Sequence, residues 1–201
     1  RAPAAALLPL VESGAGLDAL DAIAGAPGVL RLALGHLDLQ ADLGLACGPG
    51  EEELAPARWE IVRATRRAGL APPVDGVTTA LRDAGRIAED TRRGLRMGFG
   101  AKLCIHPAQV PVVHQALAPG EDEAAQARRV LAAAEAARGG VCMLDGRMVD
   151  APVIALARRV AARVPGGRGT AGERYEDGAP RLPPTPMAEP FGANVRRPLA
   201  P

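Results

Sequence analysis

The sequence predicts an α/β fold built on a parallel sheet, and three observations carry that expectation. Short continuous runs of Leu, Val and Ala recur through the first half of the chain, as buried strands do. Gly or Pro punctuates each run, and a segment of helical character separates it from the next. Trp59, Phe99, Tyr175 and Phe191 are the sole aromatics in 201 residues that are 48% hydrophobic, so Ala, Leu and Val must do the packing.

Taken in order, Ala4 to Val11 reads as a strand, and Leu17 to Ala24 as a short helix ended by Gly25-Ala26-Pro27-Gly28. Val29 to Leu37 is a second strand. Glu51 to Ala68 is a helix with acid at its start, Arg66 and Arg67 at its end and Gly69 as its stop, which suits the helix dipole. Pro72 to Val77 is a short strand, Leu81 to Met97 a long helix, and Ala101 to Ile105 a fourth strand cut off by His106-Pro107. The βα repeats, about 25 to 35 residues each, make half of an eight-stranded barrel. The chain opens directly on a strand signal, so the expectation is the C-terminal half of a (β/α)8 TIM barrel, or a chain lacking its N-terminal half.

Beyond residue 118 the character changes. Glu121 to Arg138 reads as a strong helix, and Val141 to Val149 as an extended stretch turned at Asp145-Gly146. Asp150 can N-cap a last helix, Ala151 to Val164, with Pro152 in its first turn. After Pro165 the composition falls to Gly, Pro, Arg and Glu, and residues 165–201 are expected to be a disordered tail. The expected division is therefore a half-barrel over 1–118, a helical segment over 119–164 and the tail over 165–201.

Lys plus Arg total 24 against 23 for Asp plus Glu, a net charge of +1 that gives no support for a nucleic-acid partner. Cys47, Cys104 and Cys142 lack any CxxC spacing, which fits reduced thiols and a cytoplasmic location. No apolar run approaches a membrane span, and no cleavable signal precedes the first strand.

Glu12 closes the first apolar run and Asp38 the second. Carboxylates at the rim of a parallel sheet sit where α/β folds hold ligands, and a neighbouring pair supplies oxygens for a hard cation such as Mg²⁺. An ion pair at Glu12 and a turn cap at Asp38 account for the same residues. Lys102 lies within an apolar strand, where a Schiff-base nucleophile is conceivable. His106 and Asp75 sit at strand ends but equally suit turns, Asp145 suits the turn before Gly146, and His36 carries no assignment.

Several segments together resemble one family. Pro9-Leu-Val-Glu-Ser13, Leu34-Gly-His-Leu-Asp-Leu39 and Gly100-Ala-Lys-Leu-Cys-Ile-His-Pro-Ala-Gln109 occur in order, followed by the Ala127 to Ala137 helix and Leu144-Asp-Gly-Arg-Met-Val-Asp-Ala-Pro152. From about Ala4 to Val164 the chain is similar to the HpcH/HpaI aldolase and citrate lyase β-subunit family, the CoA-ester lyases. The resemblance implies a (β/α)8 barrel with Glu12 and Asp38 as Mg²⁺ ligands, Glu12 also meeting substrate. It implies a C–C bond made or broken in a 3-hydroxyacyl-CoA of the malyl-, citramalyl- or citryl-CoA type, giving an acyl-CoA and an oxo acid. It further implies a homo-oligomer, commonly a trimer, in which the 119–164 segment is a lid contacting a neighbouring protomer and Asp150 reaches that protomer's active site. The family's substrate-clamping Arg belongs to the first half of the barrel, ahead of the residues present. A partner-completed or inactive half-barrel, and a metal-dependent aldolase on free oxo acids, are the competing expectations.

Overall fold

A computed structural model describes residues 5–138 and 140–164. Strands β1 (Leu10–Val11), β2 (Ala33–Leu34), β3 (Val74–Asp75) and β4 (Ala101–Lys102) pair in parallel in the order β1-β2-β3-β4. Leu10 lies opposite Ala33, Ala33 opposite Val74, and Val74 opposite Ala101. Spatial order equals chain order, so every crossover steps the same way along the sheet, as in a wound barrel. A Leu7–Val29 bridge extends the β1–β2 pairing towards the N-terminus.

Between the strands run α1 (Gly14–Asp18), α2 (Leu20–Ala24), α3 (His36–Leu43), α4 (Ala55–Arg67) and α5 (Ala84–Arg96), with α6 (Gln109–Leu117) after β4. Val11 and Leu34, paired across β1 and β2, face the helices and are almost fully buried. They join Leu20, Leu39, Ile61 and Phe99 in the main apolar core. Each such side chain removed from water is worth about 1.5–3 kcal/mol. Alternation along β1 turns Leu10 the other way, and it is 48% exposed on the face away from the helices.

A second cluster is built by α7 (Glu121–Ala136), the antiparallel hairpin β5 (Cys142–Leu144) and β6 (Arg147–Val149), and α8 (Ala151–Ala161). Asp145 and Gly146, with φ of 51° and 75°, form the hairpin's tight turn. The helix α7 starts on three consecutive acids, Glu121, Asp122 and Glu123, which complement its dipole.

Several boundaries differ from the sequence expectation. The run Val29 to Leu37 does not stay extended: Gly35 leaves the strand and His36 begins α3. Asp38 therefore lies in the first turn of a helix rather than at a strand end. Periodicity cannot separate a buried helix from a buried strand in so short an apolar run. The expected helix over 51–68 begins later because Glu51 has a φ of 53°, and a 3-10 turn over Glu52–Leu54 leads into α4. The expected helix over 17–24 is split at Ala19 into α1 and α2. Helix α6 was not expected, since Val110, Pro111, Val112 and Val113 hide it among poor helix formers. The tail expected to be disordered, 165–201, lies outside the described residues.

Candidate active site

The ends of β1 and β2 are tied together. Gly35 N–H donates to the Val11 carbonyl at 2.8 Å, which sets Glu12 beside Gly35. A β-carbon on Gly35 would lie 2.6 Å from Glu12 Cβ and 2.9 Å from its Oε2, so only glycine admits the carboxylate here. Glu12 thus folds over the entry to α3, whose first turn carries Asp38. Two further contacts fix the loop: Ser13 caps α1 by accepting from Gly16 N–H at 3.2 Å, and Asp42 of α3 accepts from Gly14 N–H at 2.8 Å.

Glu12 and Asp38 are both exposed, and neither side chain has a hydrogen bond or ion pair among the described residues. Two unpartnered carboxylates, brought to one rim by a glycine cradle, fit a hard divalent cation. Among the described residues no group of three or more His, Cys, Asp or Glu is placed to hold a metal. Two carboxylates fit Mg²⁺ all the same, because that ion keeps several waters and takes substrate oxygens.

Behind this rim lies a charge network that sequence reasoning missed. Arg58 of α4, 1% exposed, donates to Asp75 Oδ1 at 3.0 Å and to Glu51 Oε2. Arg93 of α5 joins Glu51 at 2.8 Å to Asp90 at 2.9 Å. Asp90 also accepts from Thr78 Oγ1 at 2.8 Å and from Arg86 at 3.0 Å. Burial pushes the Asp90 carboxyl upward, but the Thr78 and Arg86 bonds and the Arg93 charge prevail and hold it below its usual value. Burial lowers the Arg58 guanidinium, yet Asp75 and Glu51 outweigh it and hold that pKa above normal. The signal that could have revealed the network is the placement of Arg86, Asp90 and Arg93 at i, i+4 and i+7, one face of a helix.

The remaining candidates find local roles. Asp75 is buried at the end of β3 and pairs with Arg58; its Oδ2 has no hydrogen bond. Lys102 donates from Nζ to the Gly76 carbonyl at 2.6 Å, and burial lowers its pKa. His106 is exposed and accepts from Ala108 N–H at 3.1 Å through Nδ1, which shapes the turn after β4. Asp145 accepts from Arg129 at 2.6 Å. Asp150 caps α8, its Oδ1 accepting from Val153 N–H at 3.2 Å, in the second cluster rather than on the four-stranded sheet.

His36 is 3% exposed, and its Nε2 lies 3.6 Å from Glu51 Oε1. Burial lowers its pKa, Glu51 and Asp75 opposing and Arg58 and Lys102 assisting. A cavity of about 310 Å³ opens beside it, lined among others by Gln40, Cys47, Thr78 and Arg86. Neither Glu12 nor Asp38 lines that cavity.

Comparison with known proteins bears on the family and the fold. The HpcH/HpaI aldolase/citrate lyase family model matches residues 3–107. A citrate lyase subunit beta-like protein of Deinococcus radiodurans is 40% identical over 151 residues, 74% of this chain and 53% of the relative. Citrate lyase subunit beta of Escherichia coli is 37% identical over 161 residues, 78% of this chain and 53% of the relative. The chain thus spans about half the length of the curated relatives it matches. The solved structure of CitE from Mycobacterium tuberculosis, in complex with magnesium, acetoacetate and coenzyme A, superimposes with a TM-score of 0.69 at 32% identity. That match covers 81% of this chain and 61% of CitE. The four βα units are part of a (β/α)8 barrel.

Proposed function

Because the chain belongs to the HpcH/HpaI aldolase/citrate lyase family, we propose that it carries the metal-binding part of a carbon–carbon lyase acting on CoA esters. The reaction is the making or breaking of a C–C bond in a 3-hydroxyacyl-CoA of the malyl-, citramalyl- or citryl-CoA type, with an acyl-CoA and an oxo acid as the fragments. One observation supports this reading: Glu12 packs against Gly35, the residue before α3, Asp38 lies in the first turn of that helix, and neither has a hydrogen bond or ion pair among the described residues. The magnesium, acetoacetate and coenzyme A bound by the M. tuberculosis CitE support it from a related chain.

Glu12 and Asp38 would hold Mg²⁺, and Glu12, folded over Gly35, would also face the substrate. The ion, when bound, supplies Lewis-acid polarisation of a chelating oxo acid's oxygen. The chain's own contribution is to present two negative oxygens at a fixed place, because the Gly35–Val11 hydrogen bond and the Asp42–Gly14 contact hold both loops. Asp150 is proposed to serve acid/base chemistry in the site of a neighbouring protomer, within a trimer-type oligomer. Its cap uses Oδ1, which leaves the second oxygen for that purpose. The division into a half-barrel over 1–118, a lid over 119–164 and a tail belongs to the same proposal, as does a cytoplasmic location. Among the described residues no helix is long and apolar enough to cross a membrane.

A second reading has its own support. Leu8 and Leu10 are 52% and 48% exposed on the face of the sheet away from the helices, as a half-barrel awaiting a partner chain would display them. One set of experiments separates the readings. Calorimetric Mg²⁺ titration of the chain, and of Glu12→Ala with Asp38→Ala, is followed by a panel of malyl-, citramalyl- and citryl-CoA esters and free hydroxy-oxo acids. Saturable binding lost in the double variant, with CoA-ester turnover, is the expected result. Binding without turnover favours the partner-completed half-barrel, turnover of free acids alone favours an aldolase, and absence of binding overturns the metal assignment.

A further inference from the structure

The first residue of α3 is a histidine, His36, and it is buried. His36 is packed so closely on Gly76 that a β-carbon there would collide with its Nδ1. Gly76 is fixed from the other side, since Lys102 Nζ donates to its carbonyl at 2.6 Å. The far edge of the imidazole meets Glu51, 3.6 Å from Nε2, and Glu51 is anchored by Arg58 and Arg93. The ring is thus wedged between the end of β3 and a carboxylate that two arginines immobilise.

We propose that His36 is a positioning residue for Asp38, clamping the first turn of α3 to the β3 rim through Gly76 and Glu51. The inference rests on the reading of Asp38 as a metal ligand. Its physical content is geometric. Asp38 sits two residues along the same helical turn, and its carboxylate has no partner among the described residues to orient it. A hard cation's site tolerates little displacement of its ligands, and groups that merely orient ligands typically change metal affinity by about 10- to 100-fold when removed. Gln40, Cys47, Thr78 and Arg86 are among the residues that border the cavity beside the histidine.

The test uses the whole chain with Mn²⁺ as probe, read by electron paramagnetic resonance and calorimetry, together with amide hydrogen exchange. His36→Ala and Gly76→Ala attack the clamp from its two sides. The expected result is Mn²⁺ bound about 10- to 100-fold more weakly by both, and faster exchange in α3 while α7 keeps its protection. In His36→Gln the amide reaches the Nε2 position, and affinity is expected to recover. Combining His36→Ala with Gly76→Ala should cost no more than either alone, since both remove one contact. Wild-type affinity and wild-type α3 exchange in both single variants would overturn the inference while leaving the metal assignment intact. A wild-type chain that binds no Mn²⁺, or binds it equally after Glu12→Ala with Asp38→Ala, overturns the metal assignment and this inference with it.

Discussion

The molecule carries two groups of charges and treats them in opposite ways. Behind the rim, Arg58, Asp75, Glu51, Arg93 and Asp90 are buried or half-buried, and every one pairs with an opposite charge. On the rim, Glu12 and Asp38 are exposed and bond to nothing among the described residues. A buried ion needs a partner or its desolvation goes unrelieved, so the inner group reads as scaffold that locks α4 and α5 to β3. An exposed carboxylate needs none, so its company at a strand end reads as capacity for a ligand. The distinction matters because residue type alone does not make it: Asp75 and Glu12 both follow or end a strand, and only their neighbours differ.

The inner group should give the largest effects on stability. Asp75→Ala leaves the Arg58 guanidinium, 1% exposed, with Glu51 alone. Removing one partner of a buried pair costs about 3–5 kcal/mol, and urea unfolding should show that loss. A loss near that of an exposed substitution, about 0.5 kcal/mol, would break the comparison at its strong end.

Asp90 adds a pH signature. Its folded pKa lies below the ordinary carboxylate value, so as pH falls below about 4 the unfolded chain takes up the proton first. The stabilisation is fully present above that pH and is lost as pH falls through the folded value. Asp90→Asn weakens charge-assisted bonds to Arg86 and Arg93, at a cost of about 1.5–3 kcal/mol at neutral pH. The wild-type and variant urea midpoints should therefore converge as pH falls below about 4. Parallel curves would mean that the Asp90 charge contributes nothing.

These contrasts also show what could be read from the sequence. The parallel sheet and its order follow from apolar runs separated by helical segments, because burying both faces of a strand leaves a composition that one sequence displays. Glu12 and Asp38 stand out in the sequence as candidates because the apolar runs end on them and their motifs resemble one family. The helical setting of Asp38 was not legible, since Leu34 to Leu39 serves a buried helix as well as a strand. The network was hidden for a different reason. Arg58 and Asp75 are 17 positions apart and Arg93 and Glu51 are 42 apart, so their partnership exists only after the helices pack. His36 is similar, because its role depends on Gly76, a residue whose importance lies in the side chain it lacks.

A smaller effect separates the two roles of Asp150. Asp150→Ala removes the cap of α8 and should cost about 1 kcal/mol. Asn caps helices about as well as Asp, so Asp150→Asn should unfold within a few tenths of a kcal/mol of wild type. If the free oxygen also serves a neighbouring protomer's site, turnover of CoA esters falls in Asp150→Asn despite that unchanged stability. Equal turnover in wild type and Asp150→Asn would leave the residue as a cap alone.

The smallest change in intrinsic stability belongs to the rim, where the comparison is sharpest. Glu12→Gln breaks no hydrogen bond or ion pair among the described residues and should alter unfolding by no more than about 0.5 kcal/mol. Asp38→Asn gives up a charge in the first turn of α3 and should cost about 0.3–1 kcal/mol through the helix dipole. Metal turns this small difference into a large one. A ligand bound only by the folded state adds about 2.7 kcal/mol at a hundred times its dissociation constant, and saturating Mg²⁺ should raise the wild-type melting temperature accordingly. Neither rim variant should respond, whereas Asp90→Asn, weaker from the start, should still gain nearly the full increment. A Mg²⁺ response that survives Glu12→Gln with Asp38→Asn but vanishes in Asp90→Asn would reverse the assignment, making the inner group the ligand and the rim mere surface.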